Sequence, residues 1–262
     1  MGDFEGCPVF LIGAQRSGTT ALAYCLSEAY SMQEGIFTVN GKLFYYLNRW
    51  LTEEDIFYRH FRVDEILYSL KRKLPGGRQV EFWLDRVEKV LRHTAIEIAN
   101  GCCLDSIALG KSIIFNCYEG FQIWGDKYNE YLHMLPYINS IVPNSRFILL
   151  YRSPVETSNS VENWYGDRPW RATTFNGNMD KWAFWYSDPL QFLTKLPRNR
   201  YIVIEYHRLC RGEETQKISS FLNMEIKPYL NSLSVRRNKY EVIDFPPLVN
   251  DIWSKLNHLA QT

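Results

Sequence analysis

This sequence is short of the features that would place it outside the ordinary globular enzymes. Its six cysteines form no C-x-x-C pair, and no Cys/His spacing suggests zinc. Cys7, Cys25, Cys102, Cys103, Cys117 and Cys210 therefore read as free thiols of a reducing compartment. No run of about 18 apolar residues exists, so no membrane span is expected. The apolar stretch Phe4–Ile12 is too short for a signal peptide, because a loop motif begins within it. There is no surplus of either charge: 30 Lys and Arg stand against 29 Asp and Glu, a net of +1. General nucleic-acid binding is not expected from such a balance. Internal repeats and low-complexity tracts are also missing. These absences leave a cytoplasmic protein with neither membrane nor nucleic-acid partner. Aromatics, by contrast, are abundant, with 8 Trp and 17 Tyr among 262 residues. Most belong in a core, and the rest supply walls for a pocket.

The pattern along the chain predicts an α/β fold. Val9–Ile12, Ile36–Val39, Phe121–Gly125, Arg146–Tyr151 and Tyr201–Glu205 read as strands. Residues 43 to 74 and 80 to 100 carry apolar side chains at helical spacing, broken by Pro75-Gly76-Gly77. Ser112–Phe115 fits strand and helix equally. A helix is expected through Leu132, Leu135, Ile138 and Ile141, and residues 163 to 185, with four Trp, look loop-rich and able to close over a ligand. Strands separated by helices mean a central parallel sheet with helices on both faces, within one domain over 1–262. Residues 43–110 read as a helical insertion over the sheet edge that shapes a pocket. In such sheets ligands sit at the carboxyl ends of the strands.

One of those ends carries Gly13-Ala14-Gln15-Arg16-Ser17-Gly18-Thr19-Thr20. A buried strand precedes it and an apolar helix follows, so backbone N–H groups and the helix dipole would favour a phosphate or sulfate here. The string nearly fits the phosphate-binding pattern G-x-x-x-x-G-K-[ST]. Gly13, Gly18 and Thr20 match, but Thr19 stands where the lysine would reach the β/γ-phosphates. That loss argues against ATP or GTP hydrolysis. Arg16, inside the loop, supplies a cation whose planar fork suits a terminal anionic group.

These residues resemble the sulfotransferases that use 3′-phosphoadenosine 5′-phosphosulfate (PAPS). The loop is similar to their 5′-phosphosulfate loop, with Gln15 in place of the usual Pro. Phe147–Tyr151 followed by Arg152-Ser153-Pro154 and by Ser160 is similar to their 3′-phosphate motif. Trp124-Gly125-Asp126-Lys127 resembles the bacterial branch of the family. The resemblance spans roughly residues 8 to 240. It implies a P-loop-like fold and cofactor contacts from Gln15, Arg16, Ser17, Gly18, Thr19, Thr20, Arg152, Ser160 and Tyr206. It further implies that Arg236 and Arg237 fold back onto the 3′-phosphate, and that 3′,5′-adenosine bisphosphate is the product. No metal is implied, since positioning and cationic stabilisation suffice for sulfuryl transfer. Arg16 and Lys127 are the expected catalytic cations.

The general base is left open. Asn40-Gly41-Lys42 falls where relatives have a Glu, and Asn129 where the cytosolic branch has a His. Lys42 is a candidate as sulfonate ligand or as base, and Glu34, His60, Glu119 and Asp126 are others. The expected reaction is transfer of the sulfuryl group to a hydroxyl or amine of a small-molecule acceptor, in tailoring of a natural product. A cyclic, aromatic or cationic acceptor fits the aromatic insertion. Two rivals stay open: a P-loop kinase of small metabolites, and a nucleotide-binding protein of the same fold without catalysis.

Overall fold

Alternation within β1 (Val9–Ile12) builds the centre of the molecule. Its four residues are apolar and fully covered, so each side chain must find a core on its own face. Phe10 and Ile12 enter one core, with Phe44, Trp124, Tyr131 and Phe147. Val9 and Leu11 enter the other, with Leu22, Leu26, Phe37 and Ile148. In this computed structural model, which describes residues 7–101, 105–164, 171–234 and 244–261, β1 lies in the middle of a five-stranded sheet.

The other strands are β2 (Ile36–Val39), β3 (Trp124–Lys127), β4 (Arg146–Tyr151) and β5 (Tyr201–Glu205). Their order is β2-β3-β1-β4-β5, and every pairing is parallel. The register aligns Leu11 with Lys127 and Lys127 with Val39, so three carboxyl ends meet at one place. Helices cover both faces, as crossovers between parallel strands require. The helices of the first half are α1 (Thr19–Ser31), α2 (Leu43–Trp50), α3 (Glu53–Phe57), α4 (Val63–Arg72), α5 (Val80–Ala99) and α6 (Ser106–Tyr118). The second half holds α7 (Leu135–Ile141), α8 (Pro154–Glu162), α9 (Phe175–Leu193), α10 (Tyr206–Cys210), α11 (Thr215–Leu222) and α12 (Pro247–Gln261).

Three local expectations are corrected and one open reading is settled. The third strand begins at Trp124 rather than Phe121, and it includes Asp126 and Lys127. Apolar scoring ends a strand at its first charges, whereas here both charged side chains find buried partners. Ser112–Phe115 is helical within α6, where Ile113 and Ile114 are fully covered. A short 3-10 turn, Asn129–His133, separates β3 from α7, so the helix expected across Leu132 is broken at Met134. From Phe175 the segment expected to be loop-rich is the long helix α9, with Trp182 and Trp185 in the core. Its Thr174 side chain caps the first turn by accepting from the Gly177 N–H at 3.0 Å. Trp164 lies at the exit of α8, and Trp170 falls outside the described residues.

The helices of residues 43–110 do not form a separate layer. Phe44 packs edge-on against Phe10 at 5.1 Å, and Trp83 lies near Tyr118 at 5.8 Å in the same core. Their polar edge, at α4, faces the carboxyl ends of the strands.

Candidate active site

The Gly13–Thr20 loop is closed by its own side chains. Ser17 is fully buried, and its hydroxyl and N–H both donate to the Ala14 carbonyl, at 2.6 and 3.3 Å. Its side chain thus faces inward and shapes the loop. Ala14 N–H donates to the Tyr186 hydroxyl at 3.0 Å, which donates to the Leu150 carbonyl at 2.9 Å. Tyr186, unnoticed in the sequence, therefore ties the loop to β4. Gly18 has φ 95°, and a Cβ there would stand 2.2 Å from the Tyr206 ring. Both conformation and space demand glycine. Gly18 gives α1 no side-chain cap, and the first turn of α1 holds no acidic residue. The first N–H groups of this 13-residue helix thus face the cavity without an internal competitor.

Lys127 reaches the same place from β3. It is 1 % exposed, and its Nζ donates to Thr20 Oγ1 at 3.0 Å, Asn40 Oδ1 at 3.0 Å and Asn129 Oδ1 at 2.9 Å. All three ammonium protons are engaged. Because Thr20 accepts from Lys127, its own hydroxyl proton remains to be donated. Burial lowers the Lys127 pKa to about 8; Asp126 opposes that fall and Lys73 adds to it. Thr19, at the position of the missing P-loop lysine, is buried and accepts from Asn129 Nδ2 at 3.4 Å. A cation from the neighbouring strand thus stands where the loop itself lacks one.

Across the loop, Arg16 adopts φ 68°, a left-handed conformation unusual for an arginine. Its Nε donates to Ser160 Oγ at 2.9 Å, and its guanidinium lies 4.2 Å from the Trp164 ring centre. The Arg152 guanidinium stands 5.3 Å from the Tyr206 ring centre, and its Nε donates to Glu156 Oε2 at 3.3 Å. His207 Nε2 approaches that same carboxylate, at 2.5 Å. Ion-pairing and hydrogen bonds hold the Glu156 carboxyl below its usual range although burial pushes it up. Arg152 and Ser160, matched from sequence, are thus brought together with Arg16. Glu156 and His207 were not legible there, since their contact joins α8 to α10.

These groups line one cavity of about 810 Å³, toward the upper end of the roughly 300–1,000 Å³ of ligand clefts. Gln15, Arg16, Gly18, Thr19 and Thr20 form its floor, with Lys127, Arg152, Ser160 and Tyr206 around it. Gln15 Oε1 is buried there without a hydrogen-bond partner. Lys42 also lines the cavity, and burial lowers its pKa. Arg236 and Arg237 fall outside the described residues.

The carboxylates named from sequence lie elsewhere. Asp126 is fully buried behind the wall, accepting from Gly41 N–H at 3.0 Å, Lys127 N–H at 2.7 Å and Tyr131 Oη at 2.5 Å. Burial raises its pKa. Its partners make it the latch between β3 and the β2–α2 turn. Glu34 is exposed and accepts from Gln122 Nε2 at 3.0 Å. Glu119 and His60 are exposed, at the end of α6 and between α3 and α4. None of the four lines the cavity. Among the described residues the carboxylate that does is Glu130, and burial raises its pKa above 4.5. Sequence reading missed it, because its approach depends on the 3-10 turn that follows β3.

Parallel β-strand ends, a glycine loop and an uncapped helix start define an α/β protein with a parallel sheet, and the open N–H groups of that helix suit an anion. Its kinship is more specific. The model of the sulfotransferase family matches residues 8–228, most of the chain, and the protein belongs to that family. The sulfotransferase domain of the Synechococcus PCC 7002 olefin synthase shares the fold, with TM-score 0.59 and 15 % identity over 99 % of this chain and 95 % of that one. The sulfotransferase domain of the curacin biosynthetic pathway gives TM-score 0.58 and 14 % identity, covering 96 % and 97 %. Sulfotransferase STF9 of Mycobacterium avium gives 0.51 and 12 %, covering 96 % of this chain and 75 % of that one. No curated protein matches the sequence. Among the described residues no helix is long and apolar enough to cross a membrane, and no cluster of His, Cys, Asp or Glu is placed to hold a metal ion.

Proposed function

We propose that this protein transfers the sulfuryl group of PAPS to a hydroxyl or amine of a small-molecule acceptor. The observation that carries this reading is the Lys127 amine, bonded to Thr20 beside a loop that has Thr19 in place of the nucleotidase lysine. That arrangement supports a singly transferred anionic group held by the loop rather than a metal-bound triphosphate. The residues present fit the donor. The open N–H groups of α1 and the Thr20 hydroxyl, all donors, suit the 5′-phosphosulfate end. Arg152, Ser160 and Tyr206 suit the 3′-phosphate and nucleoside end. When bound, PAPS supplies an activated sulfuryl group with adenosine bisphosphate as leaving group.

The chain's own residues do the rest. Lys127 orients Thr20 and places positive charge beside the loop, where charge on the leaving oxygen would grow. Arg16, pinned by Ser160 and Trp164, holds the loop-side anion and adds a second cation. Glu130 accepts the proton of the acceptor, since among the described residues it is the carboxylate on the cavity wall, and burial raises its pKa and so makes it a stronger base. One structural neighbour is a domain of an olefin synthase and another belongs to the curacin biosynthetic pathway, which supports a tailoring step on a natural product.

Calorimetry with 3′,5′-adenosine bisphosphate against AMP tests the donor. The bisphosphate should bind more tightly, and Arg152→Ala should erase about 1.5–3 kcal/mol of that preference, the worth of a charged hydrogen bond. Equal affinities would refute the reading. Mass-spectrometric detection of sulfated products from a metabolite extract with PAPS then separates an enzyme from a nucleotide-binding protein without activity.

A further inference from the structure

One end of the cavity gathers positive charge that the donor contacts above do not use. Lys42, Arg72 and Lys73 all line it, from the β2–α2 turn and the end of α4. Backbone bonds hold them together. Lys42 Nζ donates to the Lys73 carbonyl at 3.1 Å. The segment after Lys73 is tied to β2, with Val39 N–H donating to the Gly76 carbonyl at 2.9 Å and Gly76 N–H returning the bond at 2.8 Å. Asn40 and Lys42 take φ 61° and 62°, so the turn carrying Lys42 holds backbone strain of the kind found at functional sites. Lys42 is 6 % exposed.

Among the described residues no carboxylate pairs with any of these three cations. The carboxylate that acts on Lys42 is Asp126, which is committed to Gly41, Lys127 and Tyr131. Burial depresses the pKa values of Lys42 and Lys127; Lys73 adds to both shifts and Arg72 to that of Lys42. Like charges gathered in one wall raise the local concentration of anions and repel cations.

We propose that Lys42, Arg72 and Lys73 form a subsite for an anionic group, a carboxylate or phosphate, carried by the acceptor. The proposal rests on the sulfotransferase reading above, which commits Arg16, Arg152, Ser160 and the start of α1 to the donor. The three cations are not members of that set, and they line the cavity together with Tyr46 and Ser69 of the helical insertion. A cationic acceptor, one of the alternatives that the aromatic content suggested, is repelled from this wall.

The test uses the intact protein saturated with 3′,5′-adenosine bisphosphate, so that the nucleotide contacts are filled. Phenyl phosphate, benzoate and benzylamine are titrated into it by calorimetry. The two anions should bind at one site at least about tenfold more tightly than the amine, the factor set by one charged hydrogen bond. Arg72→Glu and Lys73→Glu, both at exposed positions, should each cut anion binding by about tenfold or more and leave bisphosphate affinity unchanged. Equal binding of anion and amine, no binding of either anion, or indifference to both variants would overturn the subsite. Loss of bisphosphate affinity in the variants would also overturn it, by giving these cations to the donor. If the unmodified protein binds no bisphosphate, the donor reading itself fails. The same titration without nucleotide then judges the subsite alone.

Discussion

Replacing Lys127 with methionine separates its electrostatic role from its structural one. Burial brings the ammonium from 10.5 down to about 8, so charging it in the fold costs about 3 kcal/mol more than in the unfolded chain. Methionine removes that cost. It also strips a donor from Thr20 Oγ1, Asn40 Oδ1 and Asn129 Oδ1, each loss worth about 1–3 kcal/mol if unsatisfied. These acceptors border the cavity, so water replaces part of the loss. The two effects nearly cancel, and the net stability change at pH 7 should be about 0–2 kcal/mol. The activity loss should be far larger, about 10²–10³ in kcat, as for removal of one donor from a site of developing negative charge.

The pH dependence of stability gives an independent reading. Between pH 8 and 10.5 the unfolded chain holds the lysine proton and the fold does not. Stability from this group therefore rises with pH, by up to about 1.4 kcal/mol per pH unit, and is lost as pH falls toward 8. Denaturant unfolding from pH 8 to 9.5 should show the wild-type stability rising by about 1–2 kcal/mol relative to that of Lys127→Met, a difference in which the opposing ionisation of the buried thiols Cys25, Cys117 and Cys210 cancels. The window stops there because buried tyrosines such as Tyr151 and Tyr186, whose pKa values burial raises, ionise only on unfolding and reverse the slope above pH 10. Parallel curves for the two proteins would refute the depressed amine. A rate loss no greater than the loss of folded protein would remove Lys127 from catalysis.

Glu130→Gln should lower kcat by about 10²–10⁴ and remove the acidic limb of the pH–rate profile; a retained limb would place the base elsewhere. The limb itself should lie above 4.5, following the raised carboxyl pKa. Gly18→Ala forces a side chain into φ 95° and against Tyr206, so it should cost at least about 1–3 kcal/mol of stability and abolish bisphosphate binding. An unchanged melting temperature in a scanning experiment would show that the loop relaxes freely around this position.

Much of the architecture was legible because it is local. Val9–Ile12 and residues 147–151 are continuous apolar runs, which is how strands covered on both faces must read. The Gly13–Thr20 string carried its own meaning, since a tight strand-to-helix turn needs glycine at fixed offsets. Arg152 stands just before α8 and Ser160 lies within that helix, so the pair was equally visible. What the residues alone could not disclose was which side chains meet across elements. Asp126 and Lys127 end the apolar pattern, yet they continue β3 because Gly41, Tyr131, Thr20 and Asn40 arrive from other elements to satisfy them. Glu130 and Asp126 are close in sequence and both carboxylates, but a 3-10 turn brings one to the cavity while the strand buries the other. Periodicity records burial along a single element. Pairing of charges, access to a cavity and the company a cation keeps depend on the distance between elements, which only the packed sheet and its helices set.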